Sequence, residues 1–202
     1  MMRSMQELER YRVAGTDGEV GNVSNFLLDD SSWKVRYLVV RTPGTAPGRR
    51  EVLIAPGAFR QAEGPTERLH LSLSRERIRA GQASEVDTIS VKEVRGFQVE
   101  GRDGVLGHVE DALLDDETWT VRYLVIDTSP WWLGKRALVS PQWATRINWP
   151  DRRFYLGVPR LAVQAAPEFS RDAPIDRAYE AELHHRHGRA GYWEPPRPTR
   201  EA

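Results

Sequence analysis

The 202-residue chain contains no cysteine, which excludes disulfides, thiol nucleophiles and thiolate metal sites. Lysine is scarce: Lys34, Lys92 and Lys135 are the only lysines among 29 basic residues. Neither sign of charge is in excess, because 29 acidic residues balance the 29 basic ones. The chain as a whole therefore lacks the positive field of a nucleic-acid binder. No apolar run approaches the roughly 18 residues of a membrane span. The opening MMRSMQELERYRV lacks the apolar stretch of a signal peptide. These absences lead to the expectation of a cytoplasmic protein with no membrane span. Hydrophobic residues at 40% and charged residues at 29% describe a folded chain, long enough for two small domains.

What the chain does contain is one stretch written twice. Residues 15–39, GTDGEVGNVSNFLLDDSSWKVRYLV, recur as residues 101–125, GRDGVLGHVEDALLDDETWTVRYLV. The offset is 86 residues, no gap is needed, and 15 of the 25 aligned positions are identical. This is an internal duplication. It extends upstream, where Leu8, Tyr11 and Val13 meet Val94, Phe97 and Val99. Downstream the offset becomes 85, so Leu53 and Pro56 meet Leu138 and Pro141. The organisation expected is a unit over 6–80, a linker over 81–91, a second unit over 92–165 and a tail over 166–202.

Each unit reads as short strands between turn signals. Asp17-Gly18 and Asp103-Gly104 are hairpin turns whose glycine tolerates positive φ. Asp29-Asp30-Ser31-Ser32 turns the chain into Trp33–Arg41, which is rich in β-branched and aromatic residues. There Trp33, Val35, Tyr37 and Val39 are expected on one strand face, with Leu38 and Val40 on the other. Ser74 is a cap for a short helix, and Pro159 takes its place in the second unit. Five or six short strands without a long amphipathic helix predict an all-β chain of two tandem small barrels, which would leave no open edges. In the tail, Asp172-Ala173-Pro174 reads as a helix start. Ile175, Tyr179 and Leu183 form its apolar stripe and Gly188 its end. The last residues are proline-rich and expected to be extended.

The segments Asp17–Gly21, Leu27–Asp30, Trp33–Val40 and Val52–Pro56 recur as Asp103–Gly107, Leu113–Asp116, Trp119–Ile126 and Ala137–Pro141. In this order they resemble the PRC-barrel family, over about 160 residues of the chain. The resemblance implies a small all-β barrel that docks onto other macromolecules and carries out no catalysis. Family members include the cytoplasmic part of the photosynthetic reaction-centre H subunit and the C-terminal domain of a ribosome maturation factor. Others are bacterial proteins in which the domain stands alone. With neither the H subunit's membrane helix nor the ribosome factor's N-terminal domain, this chain is similar to the stand-alone, duplicated type.

Candidate sites follow from residue type and spacing. The pairs Asp29/Asp30 and Asp115/Asp116 have the composition of an acid–base or calcium site, yet Asp and Ser at these spacings are ordinary turn chemistry. On a helix, Glu180, His184 and His187 share one face, which makes them a weak metal candidate; a pH-sensitive contact is their alternative role. His108 is matched by Asn22, which argues against a shared catalytic role. No phosphate-cradling loop, nucleophile elbow or cofactor motif is present, so no enzyme activity and no cofactor are expected. Trp131-Trp132-Leu133 interrupts a loop whose counterpart is plainer, and Tyr192-Trp193 adds a second aromatic pair in the tail. These five are the candidate partner-binding residues, and Trp143 and Trp149 make the second unit the stickier one.

The function expected is a non-catalytic adaptor or scaffold that binds a protein partner. Alternatives are an RNA-processing or ribosome-assembly factor and a peripheral subunit of a photosynthetic or electron-transport membrane complex. Arg49-Arg50 and Arg152-Arg153 are local basic patches that would serve RNA, against the neutral net charge. Association with a second copy is a further partner to test.

Overall fold

The computed structural model describes residues 1–43, 50–60, 67–80, 88–129 and 135–195. The first unit contains β1 (Met2–Ser4), α1 (Met5–Leu8), β2 (Arg12–Gly15), β3 (Gly18–Leu28), β4 (Val35–Thr42), β5 (Arg50–Ile54), β6 (Arg68–His70) and α2 (Arg75–Ala80). The second repeats the order as β7 (Ile89–Ser90), α3 (Val91–Val94), β8 (Gln98–Gly101), β9 (Gly104–Asp115) and β10 (Thr120–Asp127). It continues through β11 (Arg136–Val139), β12 (Ala144–Asn148), β13 (Arg153–Leu156) and α4 (Arg160–Ala165), and the tail adds α5 (Arg177–Arg186). Single 3₁₀ turns lie at Pro56–Ala58 and Pro141–Trp143.

The chain is mostly β, in two mixed sheets. One runs β5-β4-β3-β2-β6 and the other β11-β10-β9-β8-β13-β12. All pairs are antiparallel except β2 with β6 and β8 with β13. Among the described residues neither ladder closes into the expected barrel: the paths end at β5 and β6, and at β11 and β12.

Local chemistry explains why the two sheets match. Gly18 and Gly104 hold φ of 129° and 132° in the hairpin turns, a conformation that only glycine adopts freely. Three residues on, a Cβ at Gly21 or Gly107 would collide with the carbonyl oxygen of Arg41 or Asp127. Only glycine lets the strands cross there. Each long strand then bulges, at Ser24 and Glu110. The LLDD turns are hydrogen-bonded as turn chemistry requires. Asp29 accepts from the backbone N–H of Ser31 and Ser32, at 3.2 and 2.9 Å, and from both hydroxyls.

The two units exchange strands. β1 pairs with β9 of the second sheet, with Ser4 opposite Leu113, and β7 pairs with β3 of the first, with Ser90 opposite Leu27. These are equivalent contacts, each moved by 86 residues. Side chains reinforce them in parallel: Ser4 donates to Asp111 at 2.5 Å, and Asn25, the counterpart of Asp111, donates to Ser90 at 2.8 Å. The pseudo-two-fold axis passes where counterparts meet each other. Lys34 bridges Thr120, with Val35 N–H donating to Trp119 and Val121 N–H donating to Trp33, at 2.8 and 2.9 Å. Glu9 meets its own counterpart Arg95 at 2.7 and 3.2 Å. One apolar core spans both units and includes Phe26, Leu38 and Val40 with Leu114, Leu124 and Phe154. Residues 89–91, expected at the end of a linker, are instead the second unit's exchanged strand and the start of α3.

Two further expectations need correction. Trp33 is not on a strand face: it precedes β4 with φ 58° and is buried against Phe154, with ring centroids 5.7 Å apart. The tail helix does not start at Asp172-Ala173-Pro174. Asp176, in extended backbone, accepts from the N–H of Tyr179 at 2.8 Å and caps α5, so the helix begins one turn later than the first acid–proline pair suggests. It ends as expected, at Gly188 with φ 62°. Among the described residues, four short helices besides α5 flank the sheets.

Candidate functional site

A buried group of bonded polar side chains lies where the tail packs on the second unit. Tyr123 is placed by β10, and α5 presents Glu180, Leu183, His184 and, at its end, His187. All five are buried. Tyr123 Oη donates to Glu180 Oε1 at 2.8 Å and lies 3.0 Å from His184 Nε2. Tyr192 Oη donates to the same Glu180 oxygen at 2.9 Å, and Arg177 pairs with Oε2 at 3.0 Å. His184 Nδ1 faces the Ala190 carbonyl at 2.8 Å, which places the ring proton on Nδ1 and leaves Nε2 as an acceptor. The single Tyr123 proton therefore serves either Glu180 or His184 at any instant.

Aromatic rings enclose the cluster. Trp143 and Trp193 stand edge-on to His184 at 5.1 and 5.0 Å, and Trp143 lies 4.6 Å from the His187 ring. The Arg122 guanidinium stacks on Tyr192 at 4.0 Å, and Arg177 stacks on Trp193 at 4.1 Å. Burial and the Glu180 charge raise the Tyr123 hydroxyl far above its ordinary range. Burial also lowers His184. His187, whose two ring nitrogens have no hydrogen-bond partner, is lowered by burial to about 4.

This arrangement locks a helix in one register. Tyr123, Glu180, His184 and Tyr192 bond to one another or to nearby backbone, so shifting α5 by one residue would strand several of them at once. The weak metal candidate is accounted for in the same way. Glu180 is filled by Tyr123, Tyr192 and Arg177, His184 by Ala190 and Tyr123, and His187 rests on Trp143. Among the described residues no group of three or more His, Asp or Glu is placed to hold a metal ion.

Of the partner-binding candidates, Tyr192 and Trp193 are half-buried on α5, within this cluster. Trp131, Trp132 and Leu133 lie outside the described residues. Their flanks do not: Thr128 and Lys135 border a cavity of about 500 Å3 together with Ala137, Val163, Ala166 and Pro167. A larger cleft of about 1250 Å3 runs between the units past Tyr11, Phe59, Trp119 and Phe169. Across the pseudo-two-fold axis, Phe97, Trp149 and Phe154 pack against one another and Trp33. Sequence reasoning missed Tyr123 because the repeat makes it identical to Tyr37. The useful signal was a difference between copies, Trp143 against Ala58.

No protein-family model matches the chain, and no curated protein matches it. No helix of the described residues is long and apolar enough to cross a membrane.

Proposed function

We propose that the chain is a non-catalytic adaptor built from two units of PRC-barrel type, and that it binds a protein partner through the second unit. The reading is carried by the cavity of about 500 Å3 bordered by Thr128 and Lys135, the described residues that flank the Trp131-Trp132-Leu133 segment in the chain. Its floor is apolar, from Ala137, Val163, Ala166 and Pro167, and its rim is charged, from Lys135, Arg136, Arg160 and Glu168. A concave apolar floor with a charged rim, lined by Thr128 and Lys135 from either side of that segment in the chain, suits an anchor side chain of a partner. The acid–base groups of the tail support the same reading, since they bond to one another under α5. The PRC-type assignment rests on the order and repetition of the sequence segments Asp17–Gly21, Leu27–Asp30, Trp33–Val40 and Val52–Pro56.

Affinity capture from native lysate tests this, comparing the wild type with Trp131→Ala/Trp132→Ala after matching their melting temperatures. The expected result is a discrete protein recovered by the wild type and lost by the variant. Equal recovery by both baits refutes the site. Recovery that is abolished by ribonuclease, or confined to membrane fractions, replaces the adaptor reading with the ribosome-assembly or membrane-complex role.

A further inference from the structure

The duplication provides an internal control for the cleft of about 1250 Å3. Among its lining residues, Tyr11 is matched across the two-fold axis by Phe97, Leu69 by Phe154 and Trp119 by Trp33. On the Phe97 side the chain's own residues occupy the space. The Trp149 indole packs on Phe97 and Phe154, with centroids 5.6 and 6.5 Å apart. The Arg152 guanidinium lies over the Phe97 ring at 5.3 Å. It donates to the carbonyls of Glu93 and Arg95, at the end of α3, at 3.3 and 2.9 Å. Trp33 and Phe97 are accordingly only 3% exposed. On the Tyr11 side, Tyr11 and Trp119 stay half-buried along the cleft, with Phe59 covering part of Trp119 at 5.6 Å. The sequence accounts for the difference. Phe154 is matched by Leu69, Trp149 by Gly64 and Arg152 by Glu67. The backbone bond at the last position is kept, since Gln98 N–H donates to Arg152 and Arg12 N–H to Glu67, at 2.9 and 3.0 Å. Residues 61–66 read QAEGPT and contain neither a ring nor a base. Among the described residues, no side chain donates to the carbonyls of Glu7 or Glu9, the counterparts of Glu93 and Arg95.

We propose that this cleft receives a turn of a partner protein that presents a tryptophan and, three residues on, an arginine, seated as Trp149 and Arg152 are seated on the other side of the axis. The indole packs on Tyr11 and Leu69. The guanidinium lies over the Tyr11 ring and donates to the Glu7 and Glu9 carbonyls, a cation–ring contact in a partly desolvated site. Charge favours the same occupant. Of the charged residues lining the cleft, Arg3 is held by Asp116 at 2.6 Å and Arg171 by Glu110 at 3.0 Å. Glu7 and Asp172 have no ion-pair partner among the described residues, against Arg60 alone among the bases, and Glu67 adds a third free acid where the other side has Arg152. The volume exceeds the roughly 300–1000 Å3 of small-molecule sites, and tryptophan and arginine are the usual anchors of protein interfaces. The cleft shares no lining residue with the cavity bordered by Thr128 and Lys135, so the two proposals stand or fall independently.

The probe is a fluorescein-labelled peptide of residues 147–154, INWPDRRF, with blocked ends, titrated by anisotropy onto the full chain. The expected result is saturable one-to-one binding, weakened about tenfold by Glu67→Arg in the protein and about fivefold by Glu7→Gln. Both positions are exposed, so these variants keep the wild-type melting temperature. Trp149→Ala or Arg152→Ala in the peptide should each weaken binding about tenfold. No saturable binding overturns the proposal. So does an affinity indifferent to both protein variants, which means that the peptide displaces the chain's own Trp149 turn instead. Binding that survives both peptide substitutions overturns the assigned anchors. Tryptophan amide binding as tightly as the peptide assigns the cleft to a small aromatic molecule, and overturns the commitment to a protein.

Discussion

Acidification should loosen the tail before it unfolds the sheets, and His187 sets the size of the effect. Its ring is 7% exposed, lies 4.6 Å from Trp143 and has no hydrogen-bond partner on either nitrogen. Burial lowers it from the ordinary 6.5 to about 4, and neighbouring His184 and Arg189 push in the same direction. A base lowered in the docked state is neutral there while the released state takes up a proton. Docking is therefore at full strength above pH 6.5, weakens as the pH falls through the window from 6.5 to 4, and is flat below it. The width of that window corresponds to about 3 kcal/mol. His184, also lowered by burial, contributes with the same sign. The turn carboxylate of Asp29, held far below its usual range by the Ser31 hydroxyl and Arg36, stays ionised throughout, so the sheet turns are unaffected. The assay is hydrogen exchange at the α5 amides, such as Glu180 and His187, between pH 7.5 and 4.5, corrected for intrinsic rates. Protection should fall by about a hundredfold across the window. His187→Phe, which keeps a ring against Trp143, should remove most of that slope. A His187→Phe variant with the wild-type slope, or a His187 proton resonance that titrates near 6.5, would refute the reasoning.

Two other perturbations test the scaffold. Gly107→Ala drives a Cβ into the Asp127 carbonyl oxygen and should cost about 2 kcal/mol, read as a lower urea midpoint; an unchanged midpoint would mean that the crossing is looser than described. Glu9→Arg sets like charges against Arg95 in a partly buried site and should also cost about 2 kcal/mol. The reversed pair Glu9→Arg/Arg95→Glu should recover part of this, because Lys92 still faces position 9 at 4.0 Å, and a double variant no better than the single one would show the contact to be incidental.

The parts of the fold legible in the sequence are those fixed by local chemistry. Asp17-Gly18 and Asp103-Gly104 are hairpin turns because glycine alone adopts their φ freely, and the LLDD turns follow from aspartate bonding to nearby N–H groups. The tail helix was legible from Tyr179 and Leu183 at helical spacing, while Ile175, the third member of the expected stripe, lies before the cap at Asp176. The strand exchange was not. Met2–Ser4 and Ile89–Ser90 are too short to show a period of two, and their partners lie in the other unit. Nor could a pattern of alternation reveal that Trp33 takes a positive φ. At the candidate site, Glu180 and His184 stood out by spacing that fits both a metal site and a docking cluster. What separated the two was Tyr123, whose hydroxyl comes from a strand about sixty residues away. The Trp131-Trp132-Leu133 reading rests on the sequence and on the cavity lined by the flanking Thr128 and Lys135.

The contact between Glu9 and Arg95 has a consequence for how such a protein can change over generations. When two separate, identical subunits pair about a symmetry axis, a residue on the axis faces its own twin, so the site can hold Glu against Glu or Arg against Arg but never one against the other. Joining the halves in a single polypeptide removes that constraint. Each position on the axis becomes two independently mutable sites, and opposite charges can settle where symmetry would have enforced repulsion. The same freedom lets a single helix, α5, bond to Tyr123 of one half without a matching helix over Tyr37 among the described residues of the other.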